Sequence, residues 1–121
     1  MTPAISLSPA ARTATANGAG VDLQGYEAAA AIVQFGTWTD GTHTPSLQES
    51  DDNSAFSAVA AADLTGAFTA VSSGGGSNTV QRVGYIGAKR YVRGVMTVSG
   101  ATTGAVSAIA IVRGVSARRP L

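Results

Sequence analysis

The apolar and polar positions of the chain alternate in short stretches, which is the pattern of β-strands rather than of helices. In residues 89–99 (KRYVRGVMTVS) this alternation places Val92 and Met96 on one face of a strand. Residues 105–115 (AVSAIAIVRGV) are apolar on both faces, which is typical of a strand that is central in its sheet or covered by a second layer. Because the glycine-bounded segment 100–104 joins these two strands, we expect a hairpin here.

The rest of the chain indicates further short strands. Residues 27–38 begin with alanines that favour helix, but the β-branched and aromatic residues that follow favour strand, and Gly36 would interrupt a helix. One helical turn is predicted over 60–64. Turn signals recur every ~8–12 residues, so the pattern predicts an all-β fold, an antiparallel β-sandwich or jelly roll of roughly seven or eight strands. These additional strands are predicted over residues 27–38, 45–50, 55–59, 67–72 and 79–86.

The two ends of the chain differ in pattern from its middle. Residues 1–17 hold two prolines and mostly small side chains, which predicts an extended N-terminal arm that becomes ordered against a partner. The sandwich domain is predicted over 18–116, followed by a basic C-terminal tail over 117–121. The N-terminus lacks the basic start and apolar run of a secretory signal. No apolar run approaches the ~18 residues of a membrane span, so we expect no membrane contact.

The composition narrows the chemistry that the chain can perform. Charged residues make up 12% of the chain, against about 25% in an ordinary soluble domain. Either neighbouring molecules cover much of the surface, or serine, threonine and glycine keep it hydrated. The absence of cysteine excludes disulfides, thiolate metal ligands and a cysteine nucleophile. A single histidine, His43, excludes a histidine-based metal cluster within one chain.

The charges are divided unevenly along the chain. Residues 1–63 contain all seven acidic residues and one base, whereas residues 64–121 contain seven bases and no acid. This asymmetry indicates a surface for an acidic partner, or for the acidic half of an identical neighbour. The alternative is that acidic and basic strands lie side by side and pair internally. The net charge of +1 argues against non-specific binding to nucleic acid, which depends on many basic contacts to phosphates.

The usual catalytic constellations are missing from the sequence. His43 lies in the turn-rich segment 40–44 without a nucleophile elbow, so we expect an exposed loop imidazole. The glycine-rich segment 72–77 lacks the Lys-Ser/Thr ending of a phosphate-binding loop and is interpreted as a flexible hairpin loop. The pattern therefore predicts no enzyme and no cofactor.

Three weaker candidates for binding remain. Residues 49–53 could gather oxygen ligands around Ca²⁺, but their spacing differs from an EF-hand, and turn bonds at a hairpin tip are the alternative. Glu27 and Glu49 could form a glycosidase pair, although nothing in the sequence brings them together. Four aromatic rings could stack on a sugar, although the core needs most of the aromatic residues: Trp38, Tyr26, Tyr85 and Tyr91.

Several segments, taken in their order along the chain, resemble a group of small structural proteins of tailed bacteriophages, often encoded beside the head genes. The resemblance covers residues 18–120 and depends on the order of the segments rather than on one motif. The segments are 20–27 (GVDLQGYE), 40–44 (DGTHT), 47–52 (LQESDD), 82–87 (RVGYIG), 89–93 (KRYVR), 100–105 (GATTGA) and 112–114 (VRG).

This resemblance implies a head decoration, or cement, protein on the outer surface of the virion. Such small β-rich domains bind in many copies across the joints between major capsid protein subunits and resist the pressure of the packaged DNA. It implies the major capsid protein and neighbouring copies of the chain as partners, with no direct contact to nucleic acid. It supplies no catalytic residues. A neck, tail or fibre component and a carbohydrate-binding module on the virion are the alternatives.

The basic half of the chain supplies the predicted contacts. The N-terminal arm could lie on the shell or add a strand to a neighbouring copy. The residues that we predict as charged contacts to the capsid or to neighbouring subunits are Arg90, Arg93, Arg113, Arg118 and Arg119.

Overall fold

The computed structural model describes residues 2–26 and 28–114, which form two antiparallel β-sheets that share one hydrophobic core. No helix among these residues is long and apolar enough to cross a membrane. Two short 3₁₀ turns lie at Ala61–Asp63 and Gly74–Gly76. The strands are β1 (Thr2–Arg12), β2 (Ala16–Asn17), β3 (Val21–Asp22), β4 (Ala28–Trp38), β5 (Thr42–Ser50), β6 (Ser57–Ala58), β7 (Val80–Tyr85), β8 (Tyr91–Ser99) and β9 (Ala105–Gly114).

The first sheet has the strand order β1-β9-β4-β7. Strand β9 lies between β1 and β4, as its apolar pattern on both faces predicts. The predicted strand over 27–38 is confirmed as β4, whose alanines face the core at Ala29 and Ala31. Small side chains suit this position because they let the two sheets approach closely.

The second sheet is built around β8, which pairs with β2 and β3 on one side and with β5 on the other. The hairpin predicted between β8 and β9 is therefore wrong, because the segment 100–104 carries the chain from the second sheet to the first. Strand β6 extends the sheet beyond β5. The predicted alternation holds, since Val92 and Met96 are fully buried against the first sheet. The sheets come close at Gly94, where an added Cβ would lie 2.5 Å from Cγ2 of Ile109.

Residues 2–12 are extended, as predicted, but they belong to the sandwich. Strand β1 pairs with β9 from Thr2 to Arg12, with two register shifts along the way. The hydroxyl of Ser6 ties β1 to the second sheet, since it accepts the N–H of Gly94 (2.8 Å) and donates to the carbonyl of Ala19 (2.7 Å). The prediction of an arm that awaits a partner is therefore corrected. Pro3 and Pro9 argue against a strand in the sequence, because proline cannot donate a backbone hydrogen bond, but an edge strand such as β1 tolerates proline.

Other predicted elements are shorter than expected. The strand predicted over 67–72 contributes one bridge, between Val71 and His43, and the strand over 55–59 is reduced to β6. The helical turn over 60–64 is confirmed as a 3₁₀ turn. The all-β sandwich is thus confirmed, whereas the predicted domain limit at 116 and the tail over 117–121 lie outside the described residues.

Candidate protein interaction surface

His43 is fully buried, which corrects the prediction of an exposed loop imidazole. Strand β5 begins at Thr42, so the residue enters the sheet, where its backbone exchanges two 2.8 Å hydrogen bonds with Val71. Its Nε2 lies 2.9 Å from the carbonyl oxygen of Asp40. Because a carbonyl can only accept, Nε2 is the ring nitrogen that donates this hydrogen bond. The residue is therefore part of the core.

The carboxylate of Asp40 holds the turn that connects β8 in the second sheet to β9 in the first. It accepts the backbone N–H groups of Gly104 (2.6 Å), Thr103 (3.1 Å) and Thr102 (3.1 Å). These bonds, the one from Gly104 first, hold the pKa of Asp40 below its usual value. The carboxylate of Asp40 therefore has a structural role, which is to hold the backbone of residues 102–104 in the turn.

The acidic tip after β5 is also occupied by internal contacts. The carboxylate of Asp52 accepts from the hydroxyl of Ser50 (2.9 Å) and from the backbone N–H groups of Ser54 (2.9 Å) and Ala55 (3.0 Å), which holds its pKa below the usual value. These are the turn bonds that stood as the alternative to a calcium site. The described residues contain no group of three or more side chains arranged to hold a metal ion.

The carboxylates beside this tip have their own partners. Asp51 pairs with Lys89 at 2.9 Å on the surface. Glu49 accepts a 2.7 Å hydrogen bond from the hydroxyl of Tyr85, and burial together with this carboxylate raises the pKa of Tyr85 to about 12. Glu27, the other half of the predicted glycosidase pair, lies outside the described residues.

Two of the four rings considered for sugar stacking are used in packing. Tyr85 is buried, and Trp38 packs against the core while its indole N–H donates to the carbonyl of Gly41 (2.9 Å). The other two, Tyr26 and Tyr91, are partly exposed, and each lies beneath an arginine. Tyr26 and Tyr91 therefore form contacts with arginine side chains.

Three of the five predicted arginines each lie over an aromatic ring. Arg and Tyr are enriched at protein–protein interfaces and at their energetic centres. We call this set the arginine–aromatic surface. It consists of Arg90 over Tyr91 (5.0 Å to the ring centre), Arg93 over Phe56 (4.2 Å) and Arg113 over Tyr26 (4.7 Å).

Asp22 on β3 connects two of these arginines. Its carboxylate receives Nε and Nη2 of Arg90 at 2.9 and 2.8 Å, and its backbone carbonyl receives Nη1 of Arg113 at 3.0 Å. The hydrogen bond from Arg90 is the largest cause that lowers the pKa of Asp22 to about 2. In the sheet register Asp22 lies opposite Tyr91, which precedes Arg93 by two residues on β8, so Asp22 lies between Arg113 and the two arginines of this strand region.

Arg93 and Arg113 differ from Arg90 in having uncharged partners. Both Nε and Nη2 of Arg93 donate to the amide oxygen of Gln48, at 2.8 and 2.5 Å, because Gln48 lies opposite Arg93 in the β5–β8 register. Arg113 donates to the backbone carbonyls of Thr2 and Asp22. Since neither guanidinium contacts a carboxylate among the described residues, the surface keeps a positive charge.

The internal explanation of the uneven charge distribution holds in part. The pairs Asp22–Arg90 and Asp51–Lys89 join the acidic half to the basic half, as the internal alternative expects. Arg93 and Arg113 form no ion pair among the described residues, whereas Arg118 and Arg119 lie outside these residues.

Comparison of the chain with protein-family models, with curated proteins and with solved structures gives no match.

Proposed function

We propose that this chain is a structural protein of a tailed-phage virion, which decorates and stabilises the capsid by binding across joints of the major capsid protein. The observation that carries the proposal is the arginine–aromatic surface, in which Arg93 and Arg113 have uncharged partners. An acidic surface of the shell would satisfy both charges. Burying contacts across a joint raises the work needed to pull the two shell subunits apart.

The geometry of the arginines favours binding to a folded protein surface. Gln48 and the ring of Phe56 already hold the guanidinium of Arg93 in one orientation. A held side chain loses less rotamer freedom when it binds, so less of the interaction energy is lost in ordering it. On a shell, many copies each making a modest contact would remain bound through their number.

The strand order supports the proposal at the level of the fold. If β2 and β3 are counted as one interrupted edge strand, the sheets have the orders 1-8-3-6 and 2-7-4-5. We infer from this order the two interlocked Greek keys of a jelly roll, a fold used by viral capsid domains and also by lectins. Because one fold serves many functions, the order agrees with the proposal without selecting it.

A neck, tail or fibre position would use the same surface in fewer copies. The test is the copy number of the chain in purified virions, measured by quantitative mass spectrometry against the major capsid protein. Hundreds of copies would support decoration of the shell. A ring-like number of about six to twelve would place the chain in the neck or tail and contradict the cement mechanism. Absence from the particle would overturn the virion proposal and leave the carbohydrate-binding alternative to be tested.

A further inference from the structure

Gln48 holds Arg93 by one edge of its guanidinium group. The two residues lie opposite each other on β5 and β8, on the outer face of the second sheet. Nε and Nη2 of Arg93 both donate to Oε1 of Gln48, at 2.8 and 2.5 Å, and the ring of Phe56 lies with its centre 4.2 Å from Cζ of Arg93. An amide on one edge and a ring on one face therefore fix the position of this guanidinium.

The other edge of the Arg93 guanidinium has no partner among the described residues. Nη1 makes no hydrogen bond with them, and it is not one of the buried side-chain atoms that lack a partner, so it reaches solvent. One N–H of Nη1 and one N–H of Nη2 point the same way along this edge. Such a parallel pair of donors matches the two oxygens of a carboxylate.

The nitrogen atoms left over in this contact are all donors. Because a guanidinium can only donate, Gln48 presents its oxygen to Arg93, and its amide nitrogen, Nε2, is turned away. Nε2 makes no hydrogen bond with the part of the chain that the structure describes. A site that offers only N–H groups and one positive charge favours a negatively charged acceptor.

Arg90 shows the effect of a carboxylate on the edge that Gln48 occupies in Arg93. Asp22 receives Nε and Nη2 of Arg90 on its two oxygens, so the charge of Arg90 is compensated within the chain. At Arg93 the neutral amide of Gln48 takes the same two nitrogens. The amide therefore orients the guanidinium and leaves its charge uncompensated.

We propose that Gln48 is a positioning residue, which holds Arg93 so that the free edge of its guanidinium binds the carboxylate of an acidic side chain on the partner protein. Tyr91 and Val95, the neighbours of Arg93 on the same face of β8, are uncharged. One guanidinium in such surroundings compensates the single charge of a carboxylate better than the larger charge of a phosphorylated side chain. The inference deepens the proposed function and rests on it for the identity of the partner.

Gln48→Glu tests the proposal, because it keeps the shape of the side chain and replaces the neutral amide with a carboxylate. Glu at this position should pair with Arg93 as Asp22 pairs with Arg90, so thermal unfolding should show a fold at least as stable as the wild type. Binding to decoration-free heads should nevertheless weaken about tenfold or more, since the charge of Arg93 is then compensated within the chain. A residue that served the fold alone would leave head binding unchanged in this variant.

Two further variants define the cause of this loss. Gln34→Glu is the matched control, since it makes the same charge change at an exposed position on the outer face of the first sheet. That face is largely apolar, with Ile5 and Val80 exposed, and the control should bind heads like the wild type. Arg93→Lys keeps the charge but not the parallel pair of donors, so it should bind heads more weakly than the wild type.

A measurement on the purified chain uses short peptides in place of heads. Acetyl-tetra-aspartate amide should shift the Nε–H signal of Arg93 and the side-chain amide signals of Gln48 in nitrogen–proton NMR spectra, whereas acetyl-tetra-asparagine amide should not. In Gln48→Glu the signal of Arg93 should no longer respond to the acidic peptide. A stronger response to inorganic phosphate than to the acidic peptide, at equal ionic strength, would overturn the assignment to a carboxylate.

The outcomes separate this inference from the proposed function. Head binding of wild-type strength in Gln48→Glu or in Arg93→Lys, or no response of Arg93 to the acidic peptide, would overturn the inference and leave the proposed function standing. A response to the peptide without binding of the wild type to heads would reject the proposed function and support the carboxylate site. If Gln48→Glu fails to fold, Arg93→Lys and the peptide titration of the wild type still decide.

Discussion

At the scale of single residues, one hydroxyl connects the two sheets. Ser6 is buried, and it accepts from the N–H of Gly94 and donates to the carbonyl of Ala19, while its own carbonyl accepts the N–H of Ala19 at 2.7 Å. The sequence does not predict this role, because Ser6 is one of many small polar residues in a segment that also contains two prolines. Its role appears only when β1 lies against β9 and beneath the second sheet.

Ser6→Ala should therefore destabilise the fold. The substitution leaves a buried donor and a buried acceptor without their partner, for which we expect a loss of about 1–3 kcal/mol in the free energy of unfolding. Urea denaturation followed by fluorescence of Trp38 would measure it. Ser8→Ala, at an exposed position of the same strand, is the matched control and should change stability little. Equal stability of the two variants would show that Ser6 does not connect the sheets.

A second residue-scale prediction concerns acid. The pKa of Asp22 falls from 3.8 to about 2 in the folded chain, mainly through its hydrogen bond with Arg90. A lowered folded pKa gives stability that is present above the unfolded pKa and is lost as protonation proceeds. This contribution should disappear as the pH falls from about 4 towards 2.

Comparison of variants isolates this contribution. Asp22→Asn should be less stable than the wild type at neutral pH, and the difference between them should narrow as the pH falls below about 4. Thermal unfolding from pH 7 to pH 2 would record both curves. Asp63→Asn, on the first 3₁₀ turn, serves as control, because Asp63 forms no salt bridge with the described residues. A difference between wild type and Asp22→Asn that stays constant with pH would contradict the assignment.

At the scale of elements, alternation along the strands was the dependable signal. It predicted β8, β9 and the inward face of β8, because a strand with one buried face repeats every two residues. The hairpin expected between these two strands is wrong, because β8 and β9 lie in different sheets. It failed where long-range contacts decide the structure. His43 is polar and lies near a turn, yet the bridge to Val71 draws it into the core. Likewise, the ring beneath Arg93 belongs to Phe56, which only the β5–β6 connection brings close.

The contact between the two central strands gives a prediction at this scale. Gly94 on β8 faces Ile109 on β9, and a Cβ at position 94 would lie 2.5 Å from Cγ2 and 2.7 Å from Cδ1 of that side chain. Gly94→Ala should therefore overpack the core and lower the free energy of unfolding by about 1–3 kcal/mol. Gly66→Ala is the control, because an added Cβ there meets nothing within 4 Å.

A double variant would identify the cause of this loss. Ile109→Val removes Cδ1, one of the atoms nearest to the added methyl, so the loss from Gly94→Ala should be smaller in the Ile109→Val background than in the wild type. Urea denaturation of the four proteins gives the interaction energy between the two sites. Additive losses would show that the strain at position 94 lies elsewhere, for example at its hydrogen bonds with Ser6 and Gly18.

At the scale of the whole molecule, two unlike surfaces lie on different parts of the sandwich. The outer face of the first sheet is apolar and nearly uncharged, whereas the arginine–aromatic surface begins on the second sheet at Arg93 and continues to Asp22 and Arg113. If the proposed function is right, neighbouring molecules on the shell would cover much of this surface, which would account for the low charge of the chain.

The arginine–aromatic surface should govern attachment to phage heads if the proposed function is right. Arg93→Glu and Arg113→Glu each reverse a charge whose partners are uncharged, so both should weaken binding to decoration-free heads about tenfold or more, which corresponds to roughly 1.4 kcal/mol or more per site. Arg90→Glu is a poorer test of contact with the shell, because it also breaks the pair with Asp22. Raising the salt concentration should weaken wild-type binding in the same direction, because salt screens exposed charges.

Arg82→Glu is the matched control for these variants, since it makes the same charge change at an exposed position on β7 of the opposite sheet. Occupancy on heads would be measured by co-sedimentation, with thermal unfolding to show that each variant is folded. Loss of binding in Arg93→Glu and Arg113→Glu, with binding retained in Arg82→Glu, would assign attachment to the arginine–aromatic surface. Equal loss of binding in all three variants would show that the net charge of the chain, and not the position of these arginines, governs binding to heads. Full occupancy in the first two would exclude these arginines from the contact, and the apolar face would then become the surface to test against the shell.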